Sequence, residues 1–455
     1  MTVISLILIA IFLYILGNRK NQLVNAITLL LFFSINNINI GYFWVIGGLV
    51  ISYTDLLTAF MFFICITIVM RNPEVDRKIF TPILLLIFVI LVGIFRLQIN
   101  PPTTEVVSYS GSWDSYFRGN TNMLQTVAYS KQSTLQFIRT LLFLFIISVI
   151  KSSITYDDWK IILHKLVVST RCLLPIYIIE AVLMGLNSSA FYMIRNRFFG
   201  GYYMMAENRL SGLSTEPSYY AITIFLVVSI NMLNDKVEED YRKKPITILT
   251  CVIYVVLGVF SGAFSFLWTG ILLVFLYFVK DNKMSSKKYG LVTALLMVIF
   301  TVQNNNLLSL IFGSNGQLFN ERITNIFQSI TEFNQTGVMQ YSSEGTRMGS
   351  ILMLLKAWSE RPFFGIGIGT SFCFSGVFSI IATVGVLGLV LWYYIVFHAY
   401  PKGKTVFIVN LIFIMVFLPA GDFELFYGFN VILWAEISAM LFEFRNTIKE
   451  ETHLL

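Results

Sequence analysis

The segment Arg209-Leu210-Ser211-Gly212-Leu213-Ser214-Thr215-Glu216-Pro217-Ser218 puts an arginine, a carboxylate and a helix start immediately before an apolar run. Proline suits a first helical position, because its missing N–H would have no partner in the helix anyway. Ser214, Thr215 or Glu216 can cap that helix. The positive end of the helix dipole and the Arg209 guanidinium then address the same solution, which suits an anion. Glu216 has two readings, a cap or a base that takes a proton from a hydroxyl. Arg347, in Ser342-Ser343-Glu344-Gly345-Thr346-Arg347, repeats the combination of guanidinium and helix start, unless it only pairs with Glu344. Arg195, Arg197 and Arg361 are further candidate anion binders. Asp422 and Glu424, on the short turn Pro419-Ala420-Gly421-Asp422-Phe423-Glu424, are the reserve carboxylates; the alternative there is a solvated turn. Asp55 lies inside an apolar run, where ionisable groups are costly and usually functional; the sequence assigns it no partner.

Other chemistries find no residues. The histidines are His164, His398 and His453, all next to basic loops, and none can join an acid near Arg209 or Arg347 to hold a metal or activate a serine. No Walker A sequence is present. Gly365-Ile366-Gly367-Ile368-Gly369 looks like a dinucleotide loop, but no strand and no βαβ unit precede it. Those glycines are expected to allow a tight return of the chain into a span, after Arg361-Pro362 ends a helix. Arginine and carboxylate must then act without metal or cofactor.

The elements that position these residues are membrane spans. The chain is 56% hydrophobic and 13% charged, more apolar than a soluble protein of 455 residues can hide. Apolar runs fall at approximately 2–17, 22–37, 51–70, 79–95, 136–150, 170–186, 217–233, 246–262, 264–279, 290–303, 376–397, 405–420 and 426–442. No basic residue precedes 2–17, so it reads as a first span with its N-terminus outside rather than a cleaved signal. Lysines and arginines cluster in alternate short loops, which puts the N-terminus out and the C-terminus in. The net charge of +7 is thereby accounted for, and no nucleic-acid partner is implied. The short inner loops hold fourteen lysines to five arginines, whereas the longer outer loops hold eight arginines to two lysines. Sorting does not demand arginine outside; its planar fork does suit phosphate oxygens. Of Cys65, Cys172, Cys251 and Cys373, only the last lies near the outer surface, so no outer disulfide framework is expected. Three outer loops are long, about 96–135, 186–216 and 304–375. The last carries two amphipathic patterns, at 319–333 and at about Thr346 to Trp358. They suit a lid over a cavity, or equally helices resting on the bilayer.

With order and location in hand, the chain resembles the bacterial O-antigen polymerase (Wzy-type) and O-antigen ligase superfamily. The resemblance rests on Arg209 to Ser218 before a span. It rests also on Arg347 followed by Lys356-Ala357-Trp358, Arg361-Pro362 and Phe364 to Thr370, and on the short return Phe260-Ser261-Gly262-Ala263-Phe264-Ser265. It implies an all-α polytopic membrane protein of about 13 transmembrane helices. Residues 1–455 would form a single integral membrane domain with a large periplasmic loop at 304–375. It implies a glycosyltransferase of the bacterial inner membrane acting on undecaprenyl-pyrophosphate-linked oligosaccharide, as donor and acceptor, at the periplasmic face. Membrane lipids and a chain-length regulator protein are the other partners implied. Arg209 and Arg347 would clamp the pyrophosphate, with Arg361, Arg195 and Arg197 behind them. Glu216 would be the base, with Asp422 or Glu424 in reserve. The ligase branch carries an outer histidine that this chain lacks, which favours the polymerase; a transporter of the same lipid-linked sugar is the more distant alternative.

Overall fold

The computed structural model describes residues 21–36, 42–46, 49–71, 77–107, 124–186, 210, 212–214, 217–237, 244–259, 261, 263–280, 327–332, 343–371, 373, 375–397, 404–418 and 430–437, with a few isolated positions besides. These residues are mostly helical. The helices are α1 (Gln22–Ile35), α2 (Tyr53–Arg71), α3 (Arg77–Ile99), α4 (Lys131–Ser153), α5 (Tyr156–Gly185), α6 (Pro217–Val237), α7 (Lys244–Val259), α8 (Phe264–Lys280), α9 (Ser343–Ser359), α10 (Gly376–Phe397) and α11 (Lys404–Val416). Residues 430–437 are helical too. Four helices, α3, α4, α5 and α10, are long and apolar enough to cross a membrane. Shorter apolar helices lie within α1, α6, α7, α8 and α11. The expected count of about thirteen spans is not reached among the described residues.

The all-α expectation needs one correction. β1 (Tyr42–Ile46) pairs antiparallel with β2 (Leu49–Ser52), Ile46 opposite Leu49. β3 (Glu105–Val107) pairs antiparallel with β4 (Leu124–Thr126), Glu105 opposite Thr126. The local reason is composition: Tyr42-Phe43-Trp44-Val45-Ile46 and Leu49-Val50-Ile51 are aromatic and β-branched, and Gly47-Gly48 separates them.

Two of the long helices begin on reciprocal caps. Ser130 accepts from the Ser133 amide and Thr155 from the Asp158 amide, each returned by the side chain three residues on. α6 is buried almost all round from Tyr220 to Asn231, as a helix apolar on every face must be. It packs against α5, α7 and α8. Where apolar helices lie in lipid, packing rather than water exclusion holds them; here Phe413 stacks on Trp434 at 3.9 Å, and Phe225 closes on the same indole at 5.7 Å. Truncating either aromatic would remove about 3–5 kcal/mol.

Contacts between helix termini fix how the bundle is strung. At one end Tyr177 Oη donates to Asn36 Oδ1 at 2.8 Å and Asn430 Nδ2 to Ser34 O at 3.2 Å. Ser265 Oγ donates to Ser218 O at 3.0 Å and the Gly376 amide to Phe417 O at 3.1 Å. At the other end Lys165 Nζ donates to Asn25 Oδ1 at 2.6 Å, and Arg171 Nη2 to Thr247 Oγ1 at 2.8 Å. Along the chain α5, α6, α7 and α8 therefore alternate in direction. The described part of the 210–218 segment meets the first of these ends, through Ser214 on Asn36 O and Ser218 O under Ser265.

α10 is not one helix. Gly385 sits at φ 68°, ψ −175°, a conformation open essentially to glycine alone, and splits it into 376–384 and 386–397. The split frees backbone groups, and the segment Arg361–Gly367 takes them up. The Ile366 and Gly367 amides donate to Ala382 O (2.8 Å) and Thr383 O (3.1 Å). The Val386 and Leu387 amides donate to Pro362 O (2.9 Å) and Phe363 O (3.3 Å). Irregular backbone at such a place is tolerated because protein satisfies it.

Candidate functional site

The segment after α9 is anchored from three sides. Trp358 Nε1 donates to Pro362 O at 3.2 Å, and the Gly365 amide closes a turn on Arg361 O at 3.0 Å. Gly365, Gly367 and Gly369 have φ of 72°, 94° and 65°, which side chains rarely adopt. A Cβ on Gly365 would meet Thr383 O at 2.5 Å, and one on Gly369 would meet Ser133 Cα at 2.7 Å. Ser133 Oγ, in the first turn of α4, donates to Gly369 O at 3.2 Å. The tight return expected of the glycine run is present, built against the broken helix and the start of α4.

Arg361 opens this segment. It is 6% exposed, and among the described residues its Nη1 has no hydrogen-bond partner. The neighbouring acid does not serve it. Glu360 accepts four hydrogen bonds from Thr103 and Thr104, two from amides and two from hydroxyls, at 2.6–3.1 Å. Those bonds, that from the Thr104 hydroxyl first, hold the Glu360 carboxyl below its ordinary range. Burial, and then the nearby Arg96 guanidinium, push Arg361 down, against a smaller opposing pull from Glu360. Arg96 belongs to the last turn of α3 and lies over the Phe364 ring at 5.6 Å. Two arginines thus share one corner, without a salt bridge to either among the described residues. With the ionised Glu360 counted, the corner still keeps a net positive charge, which attracts an anion.

The Arg209–Ser218 segment is described in part. Leu210, Gly212, Leu213, Ser214 and Ser218 are all buried. Gly212 has φ 61°, and a Cβ there would meet Tyr177 Cδ1 at 2.7 Å. Ser214 Oγ donates to Asn36 O at 3.2 Å. Below it Tyr177 packs against Tyr220 at 5.4 Å and Tyr254 at 5.5 Å. Glu180, one turn along α5 from Tyr177, is 1% exposed and within electrostatic range of Tyr220. The sequence reading passed over Glu180; an acid inside an apolar run, as at Asp55, was the signal that could have found it. Arg96, at the start of the 96–135 outer loop, carries no motif signal in the sequence.

Of the eight candidate site residues, two are described. Arg347 is half-buried in α9, and its carbonyl accepts from Ser350 Oγ at 2.8 Å. Arg361 lies just past the other end of that helix. At 1.5 Å per residue, the Arg347-to-Ser359 stretch spans about 18 Å, so the two belong to different parts of the surface. Arg209, Arg195, Arg197, Glu216, Asp422 and Glu424 lie outside the described residues. Asp55, without a partner in the sequence reading, gains one: Arg139 of α4 forks onto it, Nε to Oδ1 at 2.7 Å and Nη2 to Oδ2 at 2.5 Å. That pair ties α2 to α4.

No protein-family model matches the chain, and no curated protein matches it either.

Proposed function

We propose that this protein is an O-antigen or related polysaccharide polymerase. It would join oligosaccharide repeat units carried on undecaprenyl pyrophosphate at the periplasmic face of the bacterial inner membrane. The observation that carries the reading is Arg361, a buried guanidinium with no salt bridge among the described residues, in the segment held against α10 and the start of α4. In this reading an acceptor hydroxyl attacks the anomeric carbon of the donor. The glycosyl–oxygen bond to pyrophosphate breaks, and undecaprenyl pyrophosphate leaves. Arginines stabilise the charge that develops on that leaving group, as preorganised donors do. The hydroxyl proton passes to a carboxylate, Glu216 first, with Asp422 or Glu424 in reserve. Neither step calls on a cofactor.

The test is lipopolysaccharide banding in cells with and without the chain. A polymerase gives a ladder that collapses to a single attached repeat when the chain is removed. Complete loss of attached repeats would make it a ligase, and an unchanged ladder would remove it from this reaction.

A further inference from the structure

α5 and α6 pack antiparallel, with Tyr177 against Tyr220 at 5.4 Å and, further along the pair, Asn231 Nδ2 donating to Thr170 Oγ1 at 3.5 Å. Glu180 follows Tyr177 by one turn of α5, on the same face, and so stands opposite the first turn of α6. Helical side chains lean toward the N-terminus of their own helix. The Tyr220 side chain therefore leans toward the start of α6, and that of Glu180 leans back toward Tyr177; the two converge. Glu180 is 1% and Tyr220 0% exposed, and the acid lies within electrostatic range of the phenol. Tyr177 Oη is committed to Asn36 Oδ1 at 2.8 Å, and Tyr254 Oη to Thr170 O at 2.7 Å. Tyr220 Oη has no hydrogen-bond partner among the described residues, and a buried hydroxyl without an acceptor is costly.

The Tyr220 ring also carries a turn of backbone. Gly212 rests on it: a Cβ there would meet Tyr177 Cδ1 at 2.7 Å and Tyr220 Cδ2 at 3.0 Å. Ser214 Oγ donates to Asn36 O at 3.2 Å and lies 3.4 Å from Thr223 Oγ1. The turn 212–214 thus sits on the two tyrosine rings, and in the chain it joins Arg209 to the start of α6. We propose that Glu180 is a positioning residue: its carboxyl accepts the Tyr220 hydroxyl, directly or across one water, and the pair fixes the turn that leads from Arg209 into α6. A carboxyl suits the place twice, as acceptor for the phenol and as an acid facing the positive end of the α6 dipole. The part this plays in the reaction rests on the polymerase reading; the pair itself rests on geometry.

The experiment uses the full chain in detergent, with the native cysteines replaced by serine and Leu213→Cys as the reporter on the turn; Leu213 is 6% exposed. Thiol labelling at that position should quicken about tenfold or more in Tyr220→Phe and in Glu180→Leu. Tyr220→Phe removes a single oxygen and guards against a folding defect in the other variant. The double variant should label no faster than the faster single one, because both changes remove the same interaction. Glu180→Gln keeps an acceptor oxygen and should stay within about fivefold of the parent, the difference being the lost attraction to the helix end. Unchanged labelling in Tyr220→Phe overturns the pair, and effects that multiply in the double variant overturn the coupling. Polymerisation of a lipid-linked repeat unit by the same proteins is measured in parallel, and its rate per folded protein should fall and recover in the same order. A full rate in Tyr220→Phe with labelling quickened overturns the positioning role and leaves the polymerase reading. Coupled labelling in a protein whose parent does not polymerise supports the pair and overturns the reading.

Discussion

Replacing Gly385 by alanine should separate the Arg361 segment from α10. The backbone there has φ 68° and ψ −175°, and holding a side chain in that region costs about 1–3 kcal/mol. Space is refused as well. A Cβ would collide with the Phe363 carbonyl and lie 2.6 Å from the Gly365 nitrogen. Both obstacles are backbone, so no rotamer relieves them; the 361–367 segment itself must move. Four backbone hydrogen bonds cross that seam, each worth about 0.5–1.5 kcal/mol net. Whichever cost is smaller decides what the protein does, and either route loses roughly 2 kcal/mol or more. Gly270 of α8 is the control, because a Cβ there meets nothing within 4 Å. Alanine at that position should stabilise by about 0.5–1 kcal/mol. Unfolding midpoints in detergent should place the two variants at least about 2 kcal/mol apart. A local readout accompanies them. Cys373 is buried in the small core that holds Ile366 and Leu97; with Cys65, Cys172 and Cys251 replaced by serine, it should react with a thiol reagent much faster in Gly385→Ala. Stabilities within 1 kcal/mol of each other, or an unreactive Cys373, would refute the reasoning.

Arg209→Lys and Arg347→Lys should each cut polymer formation severely at normal protein level, since a point charge loses the forked geometry; near-normal ladders from both would show that neither binds pyrophosphate. Glu216→Gln separates base from cap: a lost base costs about 10²–10⁴-fold in rate, so retention of more than about a tenth of the rate in purified protein, far above that loss, leaves Glu216 a cap. The Glu360 carboxyl is held below its ordinary range, so its contribution is complete above about pH 5 and is lost as pH falls through the folded value; proteolysis of the 100–107 segment should rise on acidification in the wild type and stay flat in Glu360→Gln. Single cysteines at Ser343 and Ser285, in a background lacking the native four, should label oppositely with an impermeant reagent on spheroplasts, position 343 reacting and 285 protected.

The periodic parts of the fold were legible and the contacts between distant elements were not. A helix expected at about Thr346 to Trp358 is found at Ser343–Ser359, because its apolar stripe and the Arg361-Pro362 stop are local signals. The glycine run announced a tight return in the same way. Gly385 announced nothing: in an apolar run it reads like any helical glycine, and only the carbonyls of Pro362 and Phe363 give its conformation a reason. Arg139 could not be matched to Asp55 from spacing, since the partners lie 84 residues apart. The strands at 42–52 were hidden by the asparagine-rich end of the run before them. At the candidate site, residue type pointed to arginines, but the choice among them depended on burial and neighbours. Arg361 and Arg96 come together because a broken helix holds one loop against α3, and no window of sequence contains both.

The Asp55–Arg139 fork also says something about how the chain is made. A ribosome adding about 5–20 residues per second needs roughly 4–17 s to cover the 84 residues between them. During that interval α2 has been synthesised and its arginine has not. A carboxylate at mid-helix depth in a bilayer costs about 2.5–3.5 kcal/mol; Asp55, in the first turn of α2, stays near the helix end where that cost is smaller. Were α2 to enter a bilayer, that placement would keep its acid within reach of water until Arg139 is made. The two charges that tie the finished helices are thus made seconds apart, the acid in the third apolar run first and its arginine in the fifth after it.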